Sequence, residues 1–120
     1  MIAPPLLRKV LVVDDERDLA DLAEALLCHH GFEVSVAYCA TDALRILQDD
    51  QHIGAVFTDL TMPGMNGLQL AQTVNERYPT IKVVLTSGYA SPHMMAGRAG
   101  TYPYAAKPYQ IETVIGLLRN

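Results

Sequence analysis

The stretch Val10-Leu11-Val12-Val13-Asp14-Asp15-Glu16 decides the fold. Its continuous, β-branched apolar run reads as a strand buried on both faces, which is the habit of a parallel sheet. An acidic run then stands at the carboxyl end of that strand, where such sheets do their chemistry.

Outward from this strand, apolar runs of strand length alternate with segments of helical period. Leu19, Leu22, Ala23, Leu26 and Leu27 recur at i, i+3, i+4, i+7 and i+8, and Gly31 supplies the stop. Glu33 to Tyr38 alternates as a second strand. Thr41 is placed to cap a helix carrying Ala43, Leu44 and Leu47. Ala55-Val56-Phe57-Thr58 is a third strand, followed by the turn-rich loop Met62-Pro63-Gly64-Met65-Asn66-Gly67. A helix from about Leu68 to Tyr78 is closed by Pro79, and Ile81 to Thr86 is a fourth strand broken by Ser87-Gly88. Ser91-Pro92 opens a short helix to about Arg98, weakened by Gly97 and Gly100. Residues 101–105 make a fifth strand in which Pro103 suits only a sheet edge. Ile111, Val114, Ile115 and Leu118 trace the last helix. Strands alternating with helices in this way predict an α/β fold. It is a doubly wound five-stranded parallel sheet of order 2-1-3-4-5, a (βα)5 three-layer sandwich of flavodoxin-like topology.

Composition bounds the answer. The chain has 120 residues, 50% hydrophobic and 18% charged, with 9 basic and 13 acidic residues for a net charge of −4. That is one domain, and a chain of this size buries about two-thirds of its unfolded surface. Disorder, a collagen-like fibre and a disulfide scaffold are excluded. Cys28 and Cys39 lack C-x-x-C spacing and read as buried free thiols in a reducing compartment. No apolar run approaches the ~18 residues of a membrane helix, and the Met1 to Leu7 start lacks the basic region of a signal peptide. The negative charge argues against direct nucleic-acid binding.

The strand ends converge on one rim: Asp14, Asp15 and Glu16 from strand 1, Asp59 from strand 3, Thr86 and Ser87 from strand 4, and Lys107 after strand 5. Glu16 also serves the positive end of the first helix. Asp59 has no such role, since a loop follows it. Carboxylates this close need a cation or a raised pKa. An oxygen-only set without histidine or cysteine suits Mg²⁺. A carboxylate can itself take a phosphoryl group, provided its charge is neutralised from both sides. Asp59 would attack, with the metal on one side and Lys107 on the other, while Thr86 hydrogen-bonds a phosphoryl oxygen. Lys107 precedes Pro108, which holds its backbone extended and aims the side chain. Neither G-x-x-x-x-G-K-[ST] nor G-x-G-x-x-G occurs, and the acidic run would repel a flavin phosphate.

Four segments together resemble a response-regulator receiver domain. They are Val10 to Glu16, Thr58-Asp59-Leu60-Thr61-Met62-Pro63-Gly64-Met65-Asn66-Gly67, Leu85-Thr86-Ser87-Gly88-Tyr89 and Ala106-Lys107-Pro108. The resemblance spans residues 9–119, leaving 1–8 as an N-terminal extension. It implies that Asp59 accepts a phosphoryl group from a phosphohistidine on a sensor histidine kinase or a histidine phosphotransfer protein. Asp15, Asp59 and the backbone carbonyl of Thr61 would ligate Mg²⁺, with Asp14 acting through a water and Mn²⁺ able to substitute. Lys107 and Thr86 would meet the phosphoryl group, and Thr86 with Tyr104 would form the switch. The residues alone read Tyr104 equally as a half-buried tyrosine of an edge strand. Thr61 and Ser87 stand as modulators, Ser87 where the family often has alanine. The output would be a change in the face built by the fourth helix, fifth strand and last helix, read as homodimerisation or partner docking.

The implied protein is a cytoplasmic signalling switch, not an enzyme, with no direct nucleic-acid or membrane partner. One alternative is a receiver-like interaction module that is never phosphorylated. Another is a Mg²⁺-dependent hydrolase with an aspartyl intermediate, but Thr61, two residues after Asp59, cannot protonate a leaving group. The chain ends at Asn120, so a stand-alone receiver or a piece of a larger regulator or hybrid kinase is expected.

Overall fold

The computed structural model describes residues 9–62, 64–88 and 102–119. In chain order these form β1 (Lys9–Val13), α1 (Arg17–His29), β2 (Glu33–Ala37), α2 (Ala40–Asp49), β3 (Ala55–Asp59), α3 (Gly67–Arg77), β4 (Lys82–Ser87), β5 (Tyr104–Ala106) and α4 (Ile111–Arg119). The strands make one parallel sheet of order β2-β1-β3-β4-β5, the expected topology. The short helix expected between Ser91 and Arg98 lies outside the described residues, as does the 1–8 extension.

Strand alternation divides the core into two layers. Leu11, Val13, Val56, Val83 and Leu85 face α2 and α3, meeting Ala43, Leu47, Leu70 and Val74. Val10, Val12, Phe57 and Val84 face α1 and α4, meeting Ala20, Ala23, Leu27, Val114 and Leu118. Burial of both faces explains the unbroken apolar runs at residues 10–13 and 55–57, beyond which Asp14 and Asp59 appear. Each fully buried leucine or phenylalanine here stabilises the fold by about 1.5–3 kcal/mol.

Local signals set the boundaries, some of them other than expected. Gly31 ends α1 with φ +93°, a left-handed conformation that costs glycine little. The buried stripe of α1 runs through Ala20, Ala23 and Leu27, so Leu22 is 55% exposed. The same rotation puts Cys28 in solvent, and Cys39, before α2, is half-buried, which corrects the expectation of two buried thiols. Thr41 does not cap α2: the helix begins at Ala40 after an extended Cys39, with no side-chain cap bond. Asn66 caps α3 through a reciprocal pair with Gln69, each side chain accepting from the other's backbone N–H at 2.9 Å. β4 extends through Ser87, and β5 lies later than expected, at Tyr104–Ala106. Pro103 stands just outside β5, where its carbonyl accepts from the Leu85 N–H at 2.9 Å and its missing N–H leaves no gap in the ladder.

Candidate functional site

The carboxyl ends of β1, β3, β4 and β5 share one rim because their registers align. Val13 pairs with Thr58, Asp59 with Thr86, and Ser87 with Ala106. Asp14 continues β1 by donating its N–H to the Ala37 carbonyl at 3.1 Å, and its Oδ1 accepts from the Glu16 N–H at 2.9 Å. Asp14 and Asp59 are each only 5% exposed, while Asp15 is exposed. Each of the three aspartates offers an oxygen within 4.8 Å of the others'. Such a hard, all-oxygen donor set fits Mg²⁺.

Lys107 closes the rim from the other side. Its N–H donates to the Ser87 carbonyl at 3.1 Å, which fixes the backbone at the end of β5. Its Nζ donates to Asp14 Oδ2 at 3.0 Å and stands 3.5 Å from Asp59 Oδ2. Burial works against the ammonium, but its hydrogen bond to Asp14 and the charges of Asp14 and Asp59 outweigh it and hold its pKa above 10.5. Burial pushes the Asp59 carboxyl above 3.8. The charge of Lys107 opposes that shift, that of Asp14 adds to it, and the Thr61 N–H at 3.4 Å opposes it. One buried ammonium therefore leaves Asp59 short of positive charge, and a second cation would relieve it. A cavity of about 420 Å³ opens here, lined by Asp15, Glu16, Asp59, Thr61, Ser87, Gly88 and Lys107.

The glycine that opens α3 brings the next loop against Asp59. Gly67 donates its N–H to the Leu60 carbonyl at 2.9 Å, and a Cβ at this position would lie 2.0 Å from the Asp59 carbonyl oxygen. No other residue type permits that approach.

Residues 10–119 match the model of the response regulator receiver domain. The chain belongs to that family. Among curated receiver-bearing proteins, it is 34% identical over 115 residues to a putative NtrX-like response regulator of Rickettsia bellii, and 33% identical to that of Rickettsia felis. Each alignment covers 92% of this chain but 24% of the relative, so the chain spans about a quarter of the length of the curated relatives it matches. A receiver domain structure from Clostridium thermocellum superposes with a TM-score of 0.84 at 28% identity, covering 93% of this chain and 91% of that one. TrrA of Thermotoga maritima, solved with Mg²⁺-BeF, superposes with a TM-score of 0.80 at 26% identity, covering 92% and 99%.

Within this receiver site, the two hydroxyls of β4 part ways. Thr86, expected to meet a phosphoryl oxygen, is buried, and its Oγ1 donates to the Ala105 carbonyl at 2.6 Å. By alternation it shares a face with Val84 and with its register partner Asp59. Ser87, at the strand's end, lines the cavity. Its carbonyl accepts from both the Lys107 N–H and the Tyr104 hydroxyl, the latter at 2.9 Å. Tyr104 is half-buried against the α2–α3 layer. Sequence reasoning missed the shared Ser87 carbonyl, the Gly67 approach and the nearness of Tyr109. Only the glycine left a signal, at the end of the Met62–Gly67 loop. Among the described residues, no helix is long and apolar enough to cross a membrane.

Proposed function

We propose that this receiver is a phosphoryl-accepting switch whose acceptor is Asp59. The observation that carries the reading is the buried Asp59 carboxylate, 3.5 Å from Lys107 Nζ and grouped with Asp14 and Asp15. A carboxylate oxygen of Asp59 forms a bond to phosphorus as the bond from phosphorus to the donor's imidazole nitrogen breaks. The product is an acyl phosphate, and the freed imidazole takes its proton from solvent. Bound Mg²⁺, or Mn²⁺ in its place, supplies positive charge to the equatorial oxygens. Asp15, Asp59 and the Thr61 carbonyl would hold the ion, with Asp14 acting through a water. Lys107 neutralises the opposite side and is already positioned by Asp14.

Ser87, which lines the cavity, meets a phosphoryl oxygen. Thr86 reaches it only by giving up its bond to Ala105. Tyr104 reads the site through the Ser87 carbonyl. It relays the change to a face built by β5 and α4, which docks a partner or a second copy of the chain. The donor is a sensor histidine kinase or a histidine phosphotransfer protein, and the working unit is residues 9–119. The role is that of a cytoplasmic signalling switch rather than an enzyme. Incubation with Mg²⁺ and acetyl phosphate is expected to add the mass of one phosphate to the wild type and none to Asp59→Asn. Absence of an adduct with acetyl phosphate and with every kinase offered would overturn the reading.

A further inference from the structure

Phe57 and Tyr109 meet edge to face, with ring centroids 5.3 Å apart and planes at 81°. Phe57 lies two residues before Asp59 on β3, and Tyr109 lies two residues after Lys107 on the turn into α4. Alternation places Phe57 and Asp59 on the same face of β3. Phe57 is buried and held by the α1–α4 layer, against which Tyr109 also packs, half-buried. Tyr109 is also near the charges of the rim. Burial raises its phenol pKa, Lys107 lowers it, and Asp14 and Asp59 raise it.

Lys107 needs such support. β5 is three residues long, and Lys107 lies past its end, tied to β4 through its N–H on the Ser87 carbonyl. A four-carbon stem places Nζ between two carboxylates only if its Cα is held. We propose that Tyr109 is a positioning residue for Lys107: its ring, seated on Phe57, ties the turn after β5 to the strand that carries Asp59. This rests on the reading of Asp59 as the phosphoryl acceptor. Loss of the ring lets the Lys107 backbone drift, and displacements of about 1 Å cost up to ~100-fold in rate. The carboxylates stand on β3 and directly after β1 and are not displaced.

The test uses the whole chain as Tyr109→Phe, Tyr109→Leu and Tyr109→Ala. The rate of acetyl phosphate labelling is measured at saturating Mg²⁺, and Mg²⁺ affinity is followed by amide shifts near Asp15. Tyr109→Phe is expected within about twofold of wild type in both. Tyr109→Leu and Tyr109→Ala are expected to label at least about tenfold more slowly with Mg²⁺ affinity kept, and the leucine variant keeps apolar volume if alanine unfolds the chain. Wild-type labelling in Tyr109→Leu overturns the proposal, and so does a parallel loss of Mg²⁺ affinity. Carbon relaxation at the Lys107 ε-methylene requires no phosphoryl transfer, so it separates this inference from the acceptor reading. Greater motion in Tyr109→Leu supports the anchor, and unchanged order overturns it even if Asp59 is never labelled.

Discussion

Lys107 gives its shorter hydrogen bond to Asp14, at 3.0 Å, and stands farther from Asp59, at 3.5 Å. The ammonium is thus held by the carboxylate that is not the proposed acceptor. Both side chains of the Lys107–Asp14 pair are largely shielded, at 17% and 7% exposure, so removing one partner leaves the other charge poorly solvated. Lys107→Met is expected to lower stability by about 1–3 kcal/mol, measured by urea unfolding. In a double-mutant cycle, Lys107 should couple to Asp14 by on the order of 1 kcal/mol, and less to Asp59. Equal couplings would mean that the ammonium is shared.

Asp59 itself opposes folding at neutral pH. Its carboxyl is held above 3.8 in the native state, so the unfolded chain ionises first. The group's favourable contribution is therefore present below pH 3.8 and is lost as pH rises through the folded value. Without divalent cations at pH 7, Asp59→Asn should melt higher than wild type by about 1 kcal/mol, a few degrees. Added Mg²⁺ should raise the melting temperature of wild type and leave the variant nearly unmoved. A lower melting temperature for Asp59→Asn would show that Lys107 already compensates the charge.

Thr86 and Ser87 are separable by substitution. Thr86→Val removes the donor to the Ala105 carbonyl and should cost about 1–2 kcal/mol in stability while labelling by acetyl phosphate changes less than about twofold. Ser87→Ala should slow labelling about tenfold or more, as loss of a donor to a charged oxygen does. The reverse pattern would return the phosphoryl contact to Thr86.

Gly67→Ala puts a methyl group 2.0 Å from the Asp59 carbonyl oxygen, and backbone must move to admit it. Destabilisation on the order of 2–4 kcal/mol is expected by urea unfolding. Mg²⁺ affinity should fall with it, since the moving loop carries Thr61. Asn66→Ala, which removes only the cap of the same helix, should cost about 1 kcal/mol and leave Mg²⁺ affinity unchanged.

Much of this was legible in the residues. Val10 to Val13 and Ala55 to Phe57 are apolar without alternation because both faces are covered, and that alone implies helices on two sides. Strand ends marked by Asp14, Asp59 and Lys107 followed, and the structure brings those three together. Edges were less legible. Thr41 looks like a cap, yet α2 starts one residue before it, and β5 begins at Tyr104 rather than 101, because strand limits depend on what the neighbouring strand offers. Leu22 fits an apolar stripe by spacing, but the centre of that stripe is chosen by how α1 packs on the sheet.

The sequence by itself determined the sheet, its order and the gathering of acids with one lysine, because periodicity and strand-end placement are local properties that topology then forces to one rim. Tertiary structure alone decided which hydroxyl faces the cavity, which carboxylate holds Lys107, and how near Gly67 comes to Asp59. Those outcomes turn on one-residue offsets in register and on approaches of a few ångströms between segments distant in the chain. Only the packed fold sets those separations.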